Sequence, residues 1–537
     1  MNDVQSYLLK LVKEIDTICE KHDIDYYVFA GSMLGAERNE GFLPWDDDMD
    51  IVMTKKNYDK FKQVINSELP ENRVFEDKEN CSDYPLHFGK YTSVDTSNII
   101  RSLAFGNCTA GIWIDIMYVA PMPIDEKKRK RVMRLFPCLC ELENEFYVEY
   151  PYRYRGFQWR YRLLYLLSKF FGKKRVISYL KRACDNYSEE KCKDYFLYHS
   201  LDANFRIFSK ECFGKPVRTK YENEYLNKSP ENCRLCREGY GDGWMMVPRE
   251  SQQLGHSTIT DCDTPCAYYK ADYMQFLDSN IVMNDFKIIK NAHIEKVHRE
   301  RVAMDYYYRM EAEVVSIKTE AAIESYKIPF NELVIQQRYN EIGELFKEYI
   351  EFQWKSRIRN NNIFIHVKDE YLYGLMLYLI CERQEYYSAE KLLMLRLDSG
   401  EAPSWANEIQ SIILGLRNLS IKLWDEKDYD EVIKLCRENE KLIKKYNIRD
   451  YVHAYCIASM ALKTCALDEI ESICSDLIEE NSRTDFTGIP EKILGDIYVL
   501  RGDSDVGLRY YKESKEYLRN GLLLLQLEET YRRIYND

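Results

Sequence analysis

The sequence lacks any long apolar run. No segment of the 537 residues approaches the roughly 18 consecutive apolar residues that a membrane-spanning helix requires. The opening residues, MNDVQSYLLKLVKEIDTICE, carry charges throughout, so we expect no signal peptide here. Their apolar residues recur at helical spacing and predict an amphipathic first helix. We therefore expect a cytoplasmic protein, with peripheral contact at the inner face of the membrane as an open alternative.

The sequence also lacks an excess of positive charge. Its 76 Lys and Arg residues stand against 88 Asp and Glu residues, and the net charge of -12 argues against a nucleic-acid-binding protein. The chain is longer than one hydrophobic core normally supports, so we expect two or three domains.

A disulfide framework is not expected. The 17 cysteines are odd in number and scattered over a long chain, which is typical of reduced thiols. Cys233-x-x-Cys236 followed by Cys262-x-x-x-Cys266 could close a tetrahedral zinc site. The second pair is one residue longer than the common spacing and contains the stiff Pro265. We therefore expect free, buried cysteines and no zinc.

The informative stretch is residues 31–52, GSMLGAERNEGFLPWDDDMDIV. Asp48 and Asp50 lie two apart in a predicted strand, so both carboxylates should be on one face of it, and Met49, Ile51 and Met53 on the other. Thr54 is a good N-cap residue and predicts a helix from Lys55. The pair of carboxylates suits Mg²⁺ (or Mn²⁺), which keeps its other positions for water and substrate phosphates. Asp46 shares the two-residue spacing and could be a further ligand. For the acidic cluster alone, a solvated turn is the alternative.

Gly31 and Ser32 follow a β-rich run and precede apolar residues that favour a helix. A strand, a Gly-Ser turn and a helix N-terminus together offer backbone N–H groups to phosphate. This combination favours a phosphate-handling site over the solvated turn.

The segment GSMLGAERNEGFLPWDDDMDI resembles the signature of the LicD family, phosphotransferases of the nucleotidyltransferase superfamily that includes fukutin-like enzymes. Weaker matches follow at KYTSVDT (90–96), GIWIDI (111–116) and DYM (272–274). The resemblance implies an α/β (α+β) nucleotidyltransferase-like catalytic domain over residues 1–310, with a helical basic insertion at about 125–224. The chain departs from the family pattern at Ala120, Ser93 and Asp95, which leaves the transferred group and the acceptor open.

The resemblance also implies a chemistry: transfer of a phospho-substituent, phosphocholine above all, from a CDP-linked donor such as CDP-choline. The acceptor would be a sugar hydroxyl of a cell-surface glycan, such as lipopolysaccharide or teichoic acid, or of its lipid-linked precursor. Asp115 would complete the metal site and help to deprotonate that hydroxyl. Gly31 and Ser32 would bind the phosphates, and Arg38 and Lys90 are further candidate phosphate contacts. A true nucleotidyltransferase and a scaffold protein with a vestigial catalytic domain remain alternatives.

One segment is strongly basic. Residues 150–184 contain ten Lys or Arg and no acid, so the rest of the chain sums to -22. Interleaved aromatic residues make this stretch similar to segments that lie on anionic membranes. A core helix with a solvated basic face explains the pattern equally well.

Beyond residue 310 strand signals vanish and helical patterns recur. Residues 491–514 resemble one tetratricopeptide-type helix pair, in which Gly495 and Gly507 would allow close packing and Arg501-Gly502-Asp503 would form the turn. We therefore expect an all-helical, repeat-like domain over residues 311–537. Such an array normally binds a protein partner. A generic helical cap on the catalytic domain is the alternative.

Overall fold

The structure is a computed structural model that describes most of the chain. The described residues are 1–81, 84, 86–100, 108–144, 163, 166–168, 170–198, 206–241, 244–246, 248, 253, 255, 259–274, 309–358, 364–463, 466–480, 488–518 and 521–536. The chain divides into two compact units, Met1–Trp244 with Gly255–Tyr307, and Met245–Leu254 with Tyr308–Asp537.

The first unit is a mixed α/β domain, as expected. Its helices are α1 (Asp3–Lys21), α2 (Ala30–Arg38), α3 (Lys55–Glu68), α4 (Glu126–Asn144), α5 (Lys173–Asp185), α6 (Asn232–Tyr240) and α7 (Cys266–Met274). Its strands are β1 (Tyr27–Val28), β2 (Asp50–Thr54), β3 (Arg73–Glu76), β4 (Gly89–Ser93), β5 (Ser97–Ile99), β6 (Trp113–Pro123), β7 (Cys192–Leu197), β8 (Ile207–Ser209), β9 (Val217–Tyr221), β10 (Glu224–Lys228) and β11 (Ile259–Asp261).

A seven-stranded sheet organises this unit. Its order is β1-β2-β6-β4-β3, with β7 pairing to the far half of β6 and β8 pairing to β7. β2 and β6 are parallel, whereas β4 and β7 run antiparallel to β6. The long strand β6 is therefore the centre of the sheet. Two separate antiparallel pairs complete the strands of the described residues: the hairpin β9–β10, and β5 with β11, which are far apart in sequence.

Alternation along the central strands builds the core. Met49, Ile51 and Met53 pack into one hydrophobic cluster with α1 and α3, as the period-two pattern predicted. The first helix forms as expected, with a capping box at Asn2. Thr54 caps α3 by accepting a hydrogen bond from the backbone N–H of residue 57, which confirms the predicted helix start.

The predicted helical insertion at 125–224 is wrong in about its last third. α4 and α5 are helical, but β7, β8 and β9 follow from Cys192 onward. The segment is rich in aromatic residues as well as helical in pattern, and aromatic residues also favour strands. Tyr195 and Phe196 are buried on β7, which extends the main sheet along β6. Pairing with β6 therefore makes residues 192–197 a strand, although the composition of the segment favours a helix.

The second unit is helical in all its described elements, as expected. Residues 309–324 are helical, and the further helices are α8 (Phe330–Ile335), α9 (Tyr339–Leu345), α10 (Lys347–Ile358), α11 (Asp369–Leu377), α12 (Tyr386–Asp398), α13 (Ala406–Ser420), α14 (Tyr429–Glu438), α15 (Glu440–Tyr446), α16 (Arg449–Leu462), α17 (Leu467–Glu480), α18 (Ile489–Leu500), α19 (Ser504–Tyr517) and α20 (Gly521–Asn536). π-helical turns at Tyr378–Glu382 and Ile421–Glu426 extend α11 and α13.

The predicted pair of helices at 491–514 is present as α18 and α19. A Cβ on Gly495 would lie 2.2 Å from a ring carbon of Tyr511, so only glycine allows this approach. Gly502 adopts φ +87° in the turn, and Asp503 caps α19. A longer repeat array stays a prediction. In the described part of the chain, no helix is both long and apolar enough to cross a membrane.

Candidate active site

The sheet register brings the predicted site residues together. In the parallel pair β2–β6, Asp50 lies opposite Asp115, and in the antiparallel pair β4–β6, Lys90 lies opposite the same Asp115. Directly paired residues project to the same face of a sheet. Asp50, Asp115 and Lys90 therefore form one row across three adjacent strands.

Asp48 joins this row from outside the strand. The sequence predicted that Asp48 and Asp50 share a strand, but β2 begins at Asp50 and Asp48 lies in the irregular segment before it. Carboxylate oxygens of Asp48, Asp50 and Asp115 nevertheless lie within 4.8 Å of one another. Among the described residues, this is the one group of three or more His, Cys, Asp or Glu side chains with that spacing. The three residues are buried, with 9, 7 and 7% of their residue surface exposed.

Lys90 is the cation of the cluster. Its Nζ lies 2.6 Å from Oδ1 of Asp115 and 3.5 Å from the centroid of the Trp113 ring, and only 2% of the residue is exposed. Burial lowers the pKa of Lys90 against the opposing pull of the carboxylates. Burial likewise raises the pKa of Asp115, while the contact with Lys90 opposes that shift. Lys90 therefore offsets part of the repulsion among the three carboxylates.

The first turn of α2 borders the carboxylates. The predicted Gly-Ser turn is already helical, since α2 begins at Ala30, whose φ of +46° is unusual for a residue other than glycine. Ser32 Oγ accepts a hydrogen bond of 3.0 Å from the backbone N–H of Asp50. The N-terminus of α2, which is the positive end of the helix dipole, therefore lies beside the carboxylates of this row.

Asp46 and Asp47 occupy different surroundings. A Cβ on Gly31 would lie 2.7 Å from Oδ2 of Asp46, so glycine allows this carboxylate to pack against α2. Asp46 lies outside the three-carboxylate group as defined above. Asp47 faces Gly255 instead. Gln5 fixes the acidic segment by donating hydrogen bonds to the backbone oxygens of Asp46 and Leu43.

Arg38 is placed further along α2. It lies in the last helical turn, six residues after Ser32, which corresponds to about 9 Å along the helix axis. Burial lowers the pKa of Arg38 to about 10. The structure does not place Arg38 in the row of carboxylates.

Two tyrosines near the acids were missed by sequence reasoning. Burial raises the pKa of Tyr240 and of Tyr221, and the negative charges of Asp50 and Asp46 raise both further. Tyr240 ends α6, directly before Gly241 with φ +80°. The sequence GYGDG at 239–243 is the signal that could have indicated Tyr240. From the sequence alone this segment indicates a flexible turn, because the end of α6 at Tyr240 is not known.

The four cysteines considered for zinc lie in two separate parts of the fold, one pair on α6 and one pair near the start of α7. Cys233 is exposed and Cys236 buried on α6, with Cys236 Sγ 3.9 Å from the backbone oxygen of Met33. Cys262 and Cys266 are half-buried before and at the start of α7. They form no metal-ligand group of the kind found for the carboxylates among the described residues.

Comparison with known proteins gives a family for the N-terminal part. A model of the LicD/FKTN/FKRP nucleotidyltransferase domain matches residues 23–105, which contain Asp48, Asp50 and Lys90 but end before Asp115. The lipopolysaccharide cholinephosphotransferase LicD of Haemophilus influenzae is 32% identical over 80 residues, 15% of this chain and 30% of that protein.

Two further relatives match the same kind of short segment. An uncharacterised protein of Rickettsia typhi is 34% identical over 58 residues, 11% of this chain and 19% of its own length. An uncharacterised protein of Rickettsia prowazekii is 33% identical over 58 residues, 11% of this chain and 22% of its own length. The chain thus spans less than a third of each relative. Residues 23–105 of the chain are thus similar to the nucleotidyltransferase domain of the LicD family.

Proposed function

We propose that this protein transfers phosphocholine, or a similar phospho-substituent, from a CDP-linked donor to a sugar hydroxyl of a cell-surface glycan or its lipid-linked precursor. One observation carries the proposal: two buried carboxylates, just before and at the start of β2, and one on β6 converge within 4.8 Å beside the N-terminus of a helix. The similarity to a cholinephosphotransferase supports the choice of transferred group.

The donor set fits a hard divalent cation. Mg²⁺ and Mn²⁺ bind carboxylate oxygens and retain positions for substrate phosphates. Asp48, Asp50 and Asp115 supply three such oxygens from a buried position. We therefore propose that these residues hold Mg²⁺, and that the bound ion would offset negative charge on the phosphates.

The surrounding groups have complementary roles in this proposal. Backbone N–H groups of Gly31 and Ser32, in the first turn of α2, bind phosphate oxygens of the donor. Lys90 holds Asp115 in position through their 2.6 Å contact. Asp115 accepts the proton of the acceptor hydroxyl as that oxygen bonds to phosphorus. The bond from phosphorus to the bridging oxygen of CMP breaks, and CMP leaves.

Two other functions use the same residues differently. A true nucleotidyltransferase would leave the nucleoside monophosphate on the product rather than release CMP. A scaffold protein would retain the fold without turnover, and the α18–α19 pair of the helical unit would then bind a protein partner. We propose such a partner role for the helical unit in addition to catalysis, and a cytoplasmic location for the enzyme.

The decisive experiment incubates purified protein with Mg²⁺, a glycan acceptor and a panel of CDP-linked donors, and follows CMP release. Mass spectrometry of the acceptor separates a phosphocholine increment from a nucleotide increment. CMP release together with a phosphocholine increment supports the proposal. A nucleotide increment favours the nucleotidyltransferase, and no turnover with any donor favours the scaffold.

A matched pair of variants assigns any observed turnover to this site. Asp50→Asn should lower CMP release on the order of a thousandfold, as for other losses of one electrostatic element. Asp59→Asn is the control, because Asp59 is an exposed carboxylate of α3 that pairs with Lys55. Equal loss in both variants would contradict the assignment.

A further inference from the structure

A basic surface is formed by α4 together with α5. The two helices pack against each other, and Arg131 on α4 donates a hydrogen bond of 2.9 Å to the Tyr179 hydroxyl on α5. Residues 126–140 contain a single acid, and residues 174–184 contain none. Eight basic residues are exposed on the two helices: Lys127, Lys128, Lys130, Arg131, Arg134, Lys174, Arg175 and Arg182. The basic character of α5 was predicted as part of residues 150–184, of which 150–162 lie outside the described residues, whereas the basic character of α4 was not predicted.

Large apolar side chains are exposed next to this surface. Phe170 and Phe171, just before α5, are 84 and 62% exposed, and Leu163 and Leu166 are 50 and 52% exposed. Single exposed hydrophobic residues are ordinary, but four within nine sequence positions, called the apolar patch below, indicate a partner.

The packing of both helices fixes which side is available. α5 buries Leu180 and Cys184 in the core, and α4 buries Val132 and Leu139. Arg129 further ties α4 to the sheet through a 2.6 Å ion pair with Asp194 on β7. The alternative of a core helix with a solvated basic face therefore explains the buried sides of α4 and α5. It does not account for the exposed phenylalanines.

We propose that the exposed α4–α5 surface, with the apolar patch beside it, docks the protein on an anionic lipid bilayer. Lys and Arg side chains are attracted to acidic headgroups, while phenylalanine and leucine side chains insert at the headgroup boundary. A nucleic acid would also attract the lysine and arginine side chains, but it would leave the leucine side chains of the apolar patch exposed to water. Because the whole chain carries a net charge of -12, an anionic membrane repels it on average. Attraction to such a membrane therefore requires a local positive surface such as this one.

Docking does not depend on the proposed chemistry, but it would bring the active-site unit to lipid-linked acceptors. The two ideas can therefore fail separately. A wild-type protein that releases CMP but does not bind vesicles would overturn docking alone. Vesicle binding without CMP release would overturn the chemistry alone.

The test is cosedimentation of the full chain with vesicles of phosphatidylglycerol in phosphatidylcholine, and with vesicles of phosphatidylcholine alone. Binding should require phosphatidylglycerol and should fall as salt screens the charges. The combined variant Lys128→Gln, Lys174→Gln, Arg175→Gln should reduce the partition coefficient roughly a hundredfold. The control, Lys318→Gln, Lys441→Gln, Lys444→Gln, removes the same charge from the second unit and should bind like wild type.

A second variant tests the apolar patch. Phe170→Ser with Phe171→Ser should weaken the binding that persists at high salt, because insertion is not screened. Both exposed-residue variants should keep the circular dichroism of the wild type. Binding of the charge-neutralised variant at wild-type level, or wild-type binding to a single-stranded oligonucleotide but not to vesicles, would overturn the proposal.

Discussion

Asp48→Asn should stabilise the metal-free protein and at the same time remove its stabilisation by Mg²⁺. The carboxylate of Asp48 lies within 4.8 Å of those of Asp50 and Asp115. Without a cation these charges repel each other, so the folded state carries a cost that a neutral amide would not. With a cation the same charges attract it, and the amide is the weaker ligand. The two effects have opposite signs in one variant.

The size of each effect follows from the geometry. Two unit charges 4.8 Å apart repel by roughly 3.5 kcal/mol at an effective dielectric constant of 20. Lys90 and nearby water reduce this repulsion, so we expect a gain on the order of 1 kcal/mol, or about 2–4 °C in melting temperature. Mg²⁺ at about ten times its dissociation constant should stabilise wild type by about 1.4 kcal/mol.

The assay is thermal unfolding followed by circular dichroism, in EDTA and in excess Mg²⁺. Asp23→Asn is the control, since the Asp23 side chain is fully exposed and remote from the acidic row in sequence. It should unfold like wild type in both buffers. The metal-site reasoning would be refuted if Asp48→Asn had a lower melting temperature than wild type in EDTA. It would also be refuted if Mg²⁺ raised the melting temperature of the variant as much as that of wild type.

Three further changes test the packing around and beyond the site. Gly31→Ala places a Cβ 2.7 Å from Asp46 and should lower CMP release on the order of a hundredfold by displacing the acidic segment. Burial would raise the pKa of Asp16, but hydrogen bonds led by Arg218 lower it on balance. Asp16→Asn should therefore lower the free energy of unfolding by about 1–3 kcal/mol at neutral pH. Because a lowered folded pKa gives stability above the ordinary value of 3.8 that is lost below it, urea titrations should show this difference shrinking in acid. Gly495→Ala should lower that free energy by about 1–3 kcal/mol despite the better helix propensity of alanine, since its Cβ would lie 2.2 Å from a neighbouring ring.

Local patterns predicted the elements better than their assembly. The period-two alternation correctly placed Met49, Ile51 and Met53 in the core, and Thr54 correctly marked the start of α3. The strands from Cys192 onward were missed, because their aromatic residues fit either a helix or a strand until β6 is available as a partner. The burial of α4 and α5 could not be read from sequence for a related reason. Periodicity shows that a helix has an apolar face but not which surface covers it.

The active site itself depends on long-range register. Asp115 lies 65 residues after Asp50, and only the β2–β6 pairing places their side chains together. A register shift of one residue would turn Asp115 to the opposite face and break the group. The resemblance to LicD supplied Asp115 as a candidate, but no spacing in the sequence measures its distance from Asp48. The ion pair between Lys90 and Asp115 depends on the β4–β6 register in the same way.

The same register explains how three carboxylates remain buried together before any cation binds. Three contacts hold Asp115 in place. Its backbone N–H donates a hydrogen bond of 2.8 Å to the backbone oxygen of Met49, and its strand pairs with β2 and β4. Its carboxylate also contacts Lys90. The opposite face of the sheet carries isoleucines and methionines in the core, so the strands cannot turn the acids outward without exposing apolar surface. The core thus maintains a local repulsion that the acids alone would relieve by moving apart. If these carboxylates hold the divalent cation that we propose, the fold brings its ligands together before it binds, and less rearrangement is then needed to bind the cation and the donor phosphates.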